Sequence, residues 1–412
     1  LRRAHTGLTV ALAGMTALAV AMGIGRFAFT PLLPLMLQDG VVNLHGASWL
    51  ASANYLGYLA GALLCTFQPW LASRLRFLPA LRATAMVRGG MVATALLTLG
   101  MALPLPAAWP VWRFAAGVAS AVVFVYSSGW CLAQLARRDA GALGGLMFAG
   151  PGAGIVASGL AATAIVAAQG RAASGWLIFG ALAGLLTAAV WQVFFDEPVT
   201  HLAEATPSAN LAAAEAEAAR PPGPRSEIAW LTFAYGLAGF GYIVTATFLP
   251  VIARQALPGS PWLGLFWPIL GLGVIVGASS ASRLNLASDR RLMLAGAYLM
   301  QAAGIGLGLW RPSLFGFVGG SLLLGLPFTA ITFFAMQEVR RLRPAQTPST
   351  MGLLTAAYGI GQIVGPPLVA LMLSHTRSAA RGFDVSLELA ATALVIGALS
   401  YLGMVRAYPL NR

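Results

Sequence analysis

The chain has 412 residues, of which 58% are apolar and only 9% charged. That balance excludes a soluble globular enzyme and fits a protein threaded repeatedly through a membrane. The net charge of +13 is carried by arginine alone, as the sequence has no lysine. These arginines stand in short stretches between apolar runs rather than on one basic face, which excludes a nucleic-acid binder.

The first apolar run follows Arg2 and Arg3, and Ala19-Val20-Ala21 resembles a signal-peptide cleavage site. The run nevertheless continues to Leu37 and many equal runs follow, so it reads as a membrane span. Hydropathy predicts twelve spans: 8–37, 47–70, 79–102, 108–135, 141–167, 173–195, 228–252, 262–281, 292–310, 313–337, 350–374 and 386–406. The stretch 196–227 is polar, rich in Ala and Pro, and holds six of the twelve acids. It is predicted to be a flexible cytoplasmic linker between an N-terminal six-helix bundle (1–195) and a C-terminal one (228–412). With both termini in the cytoplasm, seventeen arginines fall inside and five outside. This asymmetry sets the orientation in a bacterial inner membrane.

The two halves repeat each other. Gly23-Ile24-Gly25-Arg26 with Leu33-Pro34 matches Gly239-Phe240-Gly241-Tyr242 with Leu249-Pro250. Ala72-Ser73-Arg74-Leu75 matches Ala281-Ser282-Arg283-Leu284, and Gly145-Leu146-Met147 with Gly152-Ala153-Gly154 matches Gly352-Leu353-Leu354 with Gly359-Ile360-Gly361. Each pair occupies the same place in its half, which argues for a duplicated six-helix unit with a substrate site between the copies near the membrane midplane.

At these residues the chain resembles the major facilitator superfamily of transporters. Gly23 to Pro34 is similar to the first-helix signature of its YbfB/YjiJ-type branch. Arg113-Phe114-Ala115-Ala116-Gly117 resembles the RxxxG motif, whose arginine lies in the central cavity of proton-coupled antiporters. Gly150-Pro151-Gly152-Ala153-Gly154 resembles the antiporter Gly-Pro motif, with Ile155 where its last glycine is expected. Ser73, and Ser282 in the repeat, replace the Asp that usually precedes the loop arginine. The resemblance implies an all-α fold of twelve helices in two pseudo-symmetric bundles. It also implies a cavity lined by spans 1, 4, 7 and 10, assisted by 2, 5, 8 and 11.

Arg26 is the only charge between Gly7 and Leu37. An arginine near mid-bilayer costs at least ~2.5–3.5 kcal/mol, so its side chain is expected to face protein, water or a ligand. In span 4, Arg113, Ser120, Ser127 and Gln134 recur every seven residues on one face. Arg113 is expected to line the cavity, whereas the serines stand between cavity lining and plain interhelical hydrogen bonding. Asn54, with Tyr55 beside it and Tyr58 on its own face, Tyr242 as the repeat counterpart of Arg26, Thr332, Tyr358 and Gln362 complete the candidate binding set. An aromatic at any one of these places packs more often than it binds. Pro31, Pro34, Gly117, Gly150, Pro151, Gly154, Gly365 and Pro366 are expected to permit close helix contact and bending for alternating access.

No acid falls in the middle of any predicted span, so the cavity offers two permanent cations. A guanidinium fork suits a carboxylate or phosphate. The reading is a monomeric secondary transporter that moves a small organic anion, a carboxylate, by alternating access. The alternative is a proton-coupled multidrug-type efflux antiporter. A phosphate-binding GxxxxGK[ST] loop is missing and neither the histidines nor Cys65 and Cys131 cluster, so no cofactor, metal or enzymatic chemistry is expected.

Overall fold

Each apolar run must satisfy its own backbone hydrogen bonds in lipid, and only a helix does that within one segment. The computed structural model describes residues 6–74, 82–194, 223–281, 289–343 and 347–410. Twelve of its helical segments are long and apolar enough to cross a membrane. In chain order, spans 1 to 6 are Gly7–Gln38, Leu44–Gln68, Ala83–Gly100, Trp109–Ala136, Gly141–Ala167 and Ala172–Val190. Spans 7 to 12 are Arg225–Ala256, Leu263–Ser280, Arg290–Trp310, Leu314–Leu342, Thr350–His375 and Ala379–Ala407. An even number of crossings returns the chain to its starting side. The face where span 1 begins and span 12 ends is called the terminal face below.

Proline and glycine interrupt three spans where hydropathy shows only continuous apolar sequence. Span 1 is α-helical over Gly7–Leu18, π-helical over Ala19–Arg26, and α-helical again over Phe29–Gln38. Pro31 has no N–H to offer the carbonyl of Phe27 four residues back, and the Thr30 N–H takes that carbonyl at 3.1 Å. The wider turn shows at Phe27, whose N–H reaches back five residues to the Met22 carbonyl at 3.0 Å. Span 5 divides at Ala149, just before Pro151, and span 10 divides at Leu326-Pro327. Pro34, Pro366 and Pro367 lie inside continuous helix.

The sequence repeat has a packing counterpart. A Cβ on Gly23 would stand 2.3 Å from the Gly154 Cα, so spans 1 and 5 touch backbone to backbone there. In the second half, a Cβ on Gly239 would meet the Tyr358 carbonyl at 2.1 Å, and one on Gly361 the Gly236 carbonyl at 2.3 Å. Spans 7 and 11 therefore use the glycines that match Gly23 and Gly154. Spans 2 and 4 approach in the same way through Gly57, Gly61 and Gly117. Gly150 fits against the Met15 carbonyl, and Gly365 against Ile243. Between the halves, span 2 lies on span 11, span 5 on span 8, and the far part of span 1 on span 7.

The expected linker reaches too far at its C-terminal end. Span 7 is already helical at Arg225, and Glu227 is buried. Its Oε1 accepts from Arg291 Nη1 at 3.2 Å and from Arg341 Nη2 at 2.6 Å. Arg341 also donates to Glu338, and Arg291 to Asp289 and to the carbonyls of Met404 and Tyr408. This buried ion cluster ties spans 7, 9, 10 and 12 together near the terminal face. Arg291, counted in the sequence among loop arginines, is fully buried in it. The linker from 196 to 222 and the loop serine Ser282 lie outside the described residues.

Candidate functional site

The irregular stretch of span 1 sets the site, because it carries Arg26 at its end and exposes main-chain carbonyls beside it. Arg26 is 4% exposed. Its Nη2 donates to Gln362 Oε1 on span 11, and Gln362 Nε2 donates to the Tyr242 hydroxyl on span 7. The guanidinium carbon stands 4.2 Å from the ring centre of Tyr58 and 5.3 Å from those of Tyr55 and Phe27. Arg26 Nε is buried without a hydrogen-bond partner. Among the described residues no carboxylate pairs with Arg26 or Arg113. The Arg26 charge is therefore held by one neutral amide and three ring faces.

Arg113 has a different setting. Its Nη1 donates to the Gly25 carbonyl at 3.4 Å and its Nη2 to the Arg26 carbonyl at 3.2 Å, while its guanidinium carbon lies 5.0 Å from the Phe29 ring centre. Asn54 Nδ2 supports the same place, donating to the carbonyls of Gly25 at 3.4 Å and Arg113 at 2.9 Å. Thr30 N–H has turned to Phe27, so the Arg26 carbonyl takes its hydrogen bond from Arg113 instead. Both side chains thus stand behind Arg26 and brace the segment that presents it. Ser120 does the same one turn further along, donating to the Ala21 carbonyl at 2.7 Å.

Aromatic rings run through the site from one half to the other. Tyr235 stacks on Tyr358 at 4.9 Å between centroids, and Tyr358 on Tyr242 at 5.8 Å. Tyr242 meets Phe328 edge-on at 5.0 Å, Phe328 meets Phe27 at 6.3 Å, and Phe27 meets Trp267 at 6.2 Å. Thr332 accepts from the Tyr235 hydroxyl at 3.1 Å. From the level of Arg26 toward the face opposite the termini, further hydrogen bonds join the halves. Thr30 donates to the Ala246 carbonyl at 2.8 Å, Ser52 to the Ile363 carbonyl at 3.0 Å, and Thr163 to the Gly264 carbonyl at 3.1 Å. The hydroxyls of Tyr55 and Thr247 share a bond of 2.9 Å.

Of the residues expected from the sequence, Arg26, Tyr55, Tyr242, Tyr358 and Gln362 come together. Arg113 and Asn54 lie directly behind them, and Thr332 joins through Tyr235. Tyr58, read with Asn54 on one face of span 2, joins them through its ring contact with Arg26, whereas Phe27 and Thr247 are outside the expected set. Tyr58 sits one helical turn after Asn54 on the same face, a spacing that marks it in the sequence; nothing in sequence marks Thr247.

Twelve membrane-crossing helices in two pseudo-symmetric six-helix bundles define a major facilitator superfamily transporter, a multi-pass membrane protein and not an enzyme. Residues 18–402 match the family described as uncharacterised MFS-type transporter YbfB, and the chain belongs to that family. Among solved structures it is similar to the D-xylose-proton symporter, at 13% identity over 96% of this chain and 97% of that one, with a TM-score of 0.71. It is also similar to the nucleoside transporter NupG, at 14% identity over 97% of this chain and 99% of that one, with a TM-score of 0.65. At such identities the likeness shows the fold alone. No curated protein matches the sequence.

Proposed function

We propose that this transporter moves a small organic anion, a carboxylate, across the bacterial inner membrane by alternating access, and that Arg26 holds the anionic group. One observation carries the reading: a buried guanidinium between the two halves has an amide and aromatic faces for company but, among the described residues, no counter-ion. Burying an uncompensated charge is expensive, and an incoming carboxylate would supply the missing charge. It would also replace a neutral acceptor with a charge-assisted, bidentate one, roughly twice as strong per bond.

In this mechanism the ligand displaces Gln362 from Arg26. Gln362 and Tyr242, bonded to each other, are then released to orient the rest of the molecule. Arg113 and Asn54 act as positioning residues through the carbonyls of Gly25 and Arg26, and do not touch the ligand. Because Arg26 and Gln362 belong to opposite halves, breaking their bond weakens the contact between bundles, which links binding to the transport movement. An ion gradient or exchange drives the cycle, and the termini and the linker face the cytoplasm.

A thermal-shift screen of the purified protein against organic acids, cations and neutral solutes tests the reading. A ligand at 100 times its Kd stabilises a protein by about 2.7 kcal/mol, so an organic acid is expected to raise the melting temperature measurably. If the strongest stabilisers are cations, the anion site is refuted and the multidrug-type efflux reading replaces it.

A further inference from the structure

The site holds more aromatic surface than a carboxylate alone can use. Among the contacts that cross between the halves near Arg26, two bear on what a ligand must offer. One is polar, the Gln362 amide on the guanidinium. The other is aromatic, the edge-to-face pair of Phe27 from span 1 and Phe328 from span 10. A ligand seated between the bundles must replace both when they separate. The carboxylate replaces the amide. What replaces the ring contact has to offer a face or an edge to Phe27 and Phe328, since aromatic pairs are favoured by ring quadrupoles beyond simple area burial. Phe328 also meets Tyr242 edge-on, and Tyr242 stacks on Tyr358, so aromatic surface continues from Phe328 deeper into the second half. Tyr58 on span 2 presents its ring to Arg26, the guanidinium carbon standing 4.2 Å from the ring centre.

From this geometry we infer that the substrate is an aryl carboxylate, an aromatic ring bearing its carboxylate directly or through one carbon. The inference rests on the anion reading of Arg26 and adds the chemistry of the rest of the molecule. The carboxylate lies on the guanidinium, and the ring enters between Phe27 and Phe328 in place of their mutual contact. Flexible acyclic acids of equal charge fill the same volume without the ring interactions and lose more conformational freedom on binding.

Isothermal titration of the purified full-length protein with sodium benzoate, cyclohexanecarboxylate and benzamide tests this. The first two share charge and nearly share size but differ in aromaticity; the third keeps the ring and removes the charge. Benzoate is expected to bind about two- to tenfold tighter than cyclohexanecarboxylate, the range that an aromatic pair contributes beyond burial. Phe328→Leu is expected to reduce that ratio to near one. Cyclohexanecarboxylate binding as tightly as benzoate to the wild type overturns the aryl inference and leaves the anion reading standing. Benzamide binding as tightly as benzoate overturns the anion reading, and the inference with it. A Phe328→Leu variant that folds and keeps the full preference for benzoate shows that the ring sits elsewhere and refutes the placement.

Discussion

Replacing Arg26 by lysine isolates what its planar fork contributes. Lysine keeps the positive charge and can still lie over the Tyr58 ring, 4.2 Å from the present guanidinium. It cannot hold a carboxylate through two parallel hydrogen bonds. Losing one charge-assisted bond removes about 1.5–3 kcal/mol, roughly a ten- to hundredfold loss of affinity for the anion. Within the protein the side chain has one amide bond and three ring contacts against the desolvation of a buried charge. Those contributions are each a few kcal/mol and nearly offset one another, so Arg26→Ala is expected to abolish anion binding without lowering the melting temperature. The assay is titration with the anion found in the screen, beside thermal melts of the wild type and both variants. The reasoning is refuted if the lysine variant binds as tightly as the wild type. It is equally refuted if the alanine variant loses stability and affinity in parallel, because Arg26 would then be a helix clamp.

Arg113→Met removes the bonds at 3.4 Å and 3.2 Å to the Gly25 and Arg26 carbonyls, each at the weak end for a charged donor. A stability loss of about 3 kcal/mol is expected, with affinity falling alike for anionic and neutral analogues; selective loss of the anion in titration would instead put Arg113 on the ligand. Glu227→Gln leaves Arg291 and Arg341 short of a shared carboxylate, and Arg291 keeps Asp289. Breaking a buried pair in this way is expected to destabilise by about 3 kcal/mol, the low end for such pairs, and an unchanged melting temperature would contradict the cluster's role. The same cluster gives an acid dependence. Burial opposes ionisation of Asp289, but hydrogen bonds from the Arg291 side chain and backbone and the charges of Arg291 and Arg341 outweigh it and hold the carboxyl below its usual range. Its contribution is therefore complete at neutral pH and is lost as pH falls below about 4 toward the folded-state value. Melts from neutral to acid pH should show wild type and Asp289→Asn converging as the pH drops, and a constant gap would exclude that origin.

Sequence alone determined the number of spans and the duplication, and it singled out Arg26 as the one charge within span 1. Crossing a bilayer needs about twenty apolar residues whatever the neighbours are, so each span is a local property that periodicity and length express directly. A permanent charge in such a segment is equally local, and its cost singles it out before any partner is known. The faces carrying Asn54 and Tyr58, or Tyr358 and Gln362, were legible because helical spacing fixes which residues share a side. Tertiary structure decided what stands opposite each face. Arg113 and Arg26 look alike in sequence, two arginines in two apolar helices. Their settings separate because the irregular turn from Phe27 to Pro31 leaves the Arg26 carbonyl to Arg113, and because Gln362 and three rings close around Arg26. Glu227 read as the end of a polar linker for the same reason. Composition places an acid next to prolines outside the core, and only the approach of Arg291 and Arg341 from spans 9 and 10 makes its burial favourable. Pairing between helices depends on their rotation and depth against one another, set by glycine contacts such as Gly23 on Gly154 that hydropathy does not record.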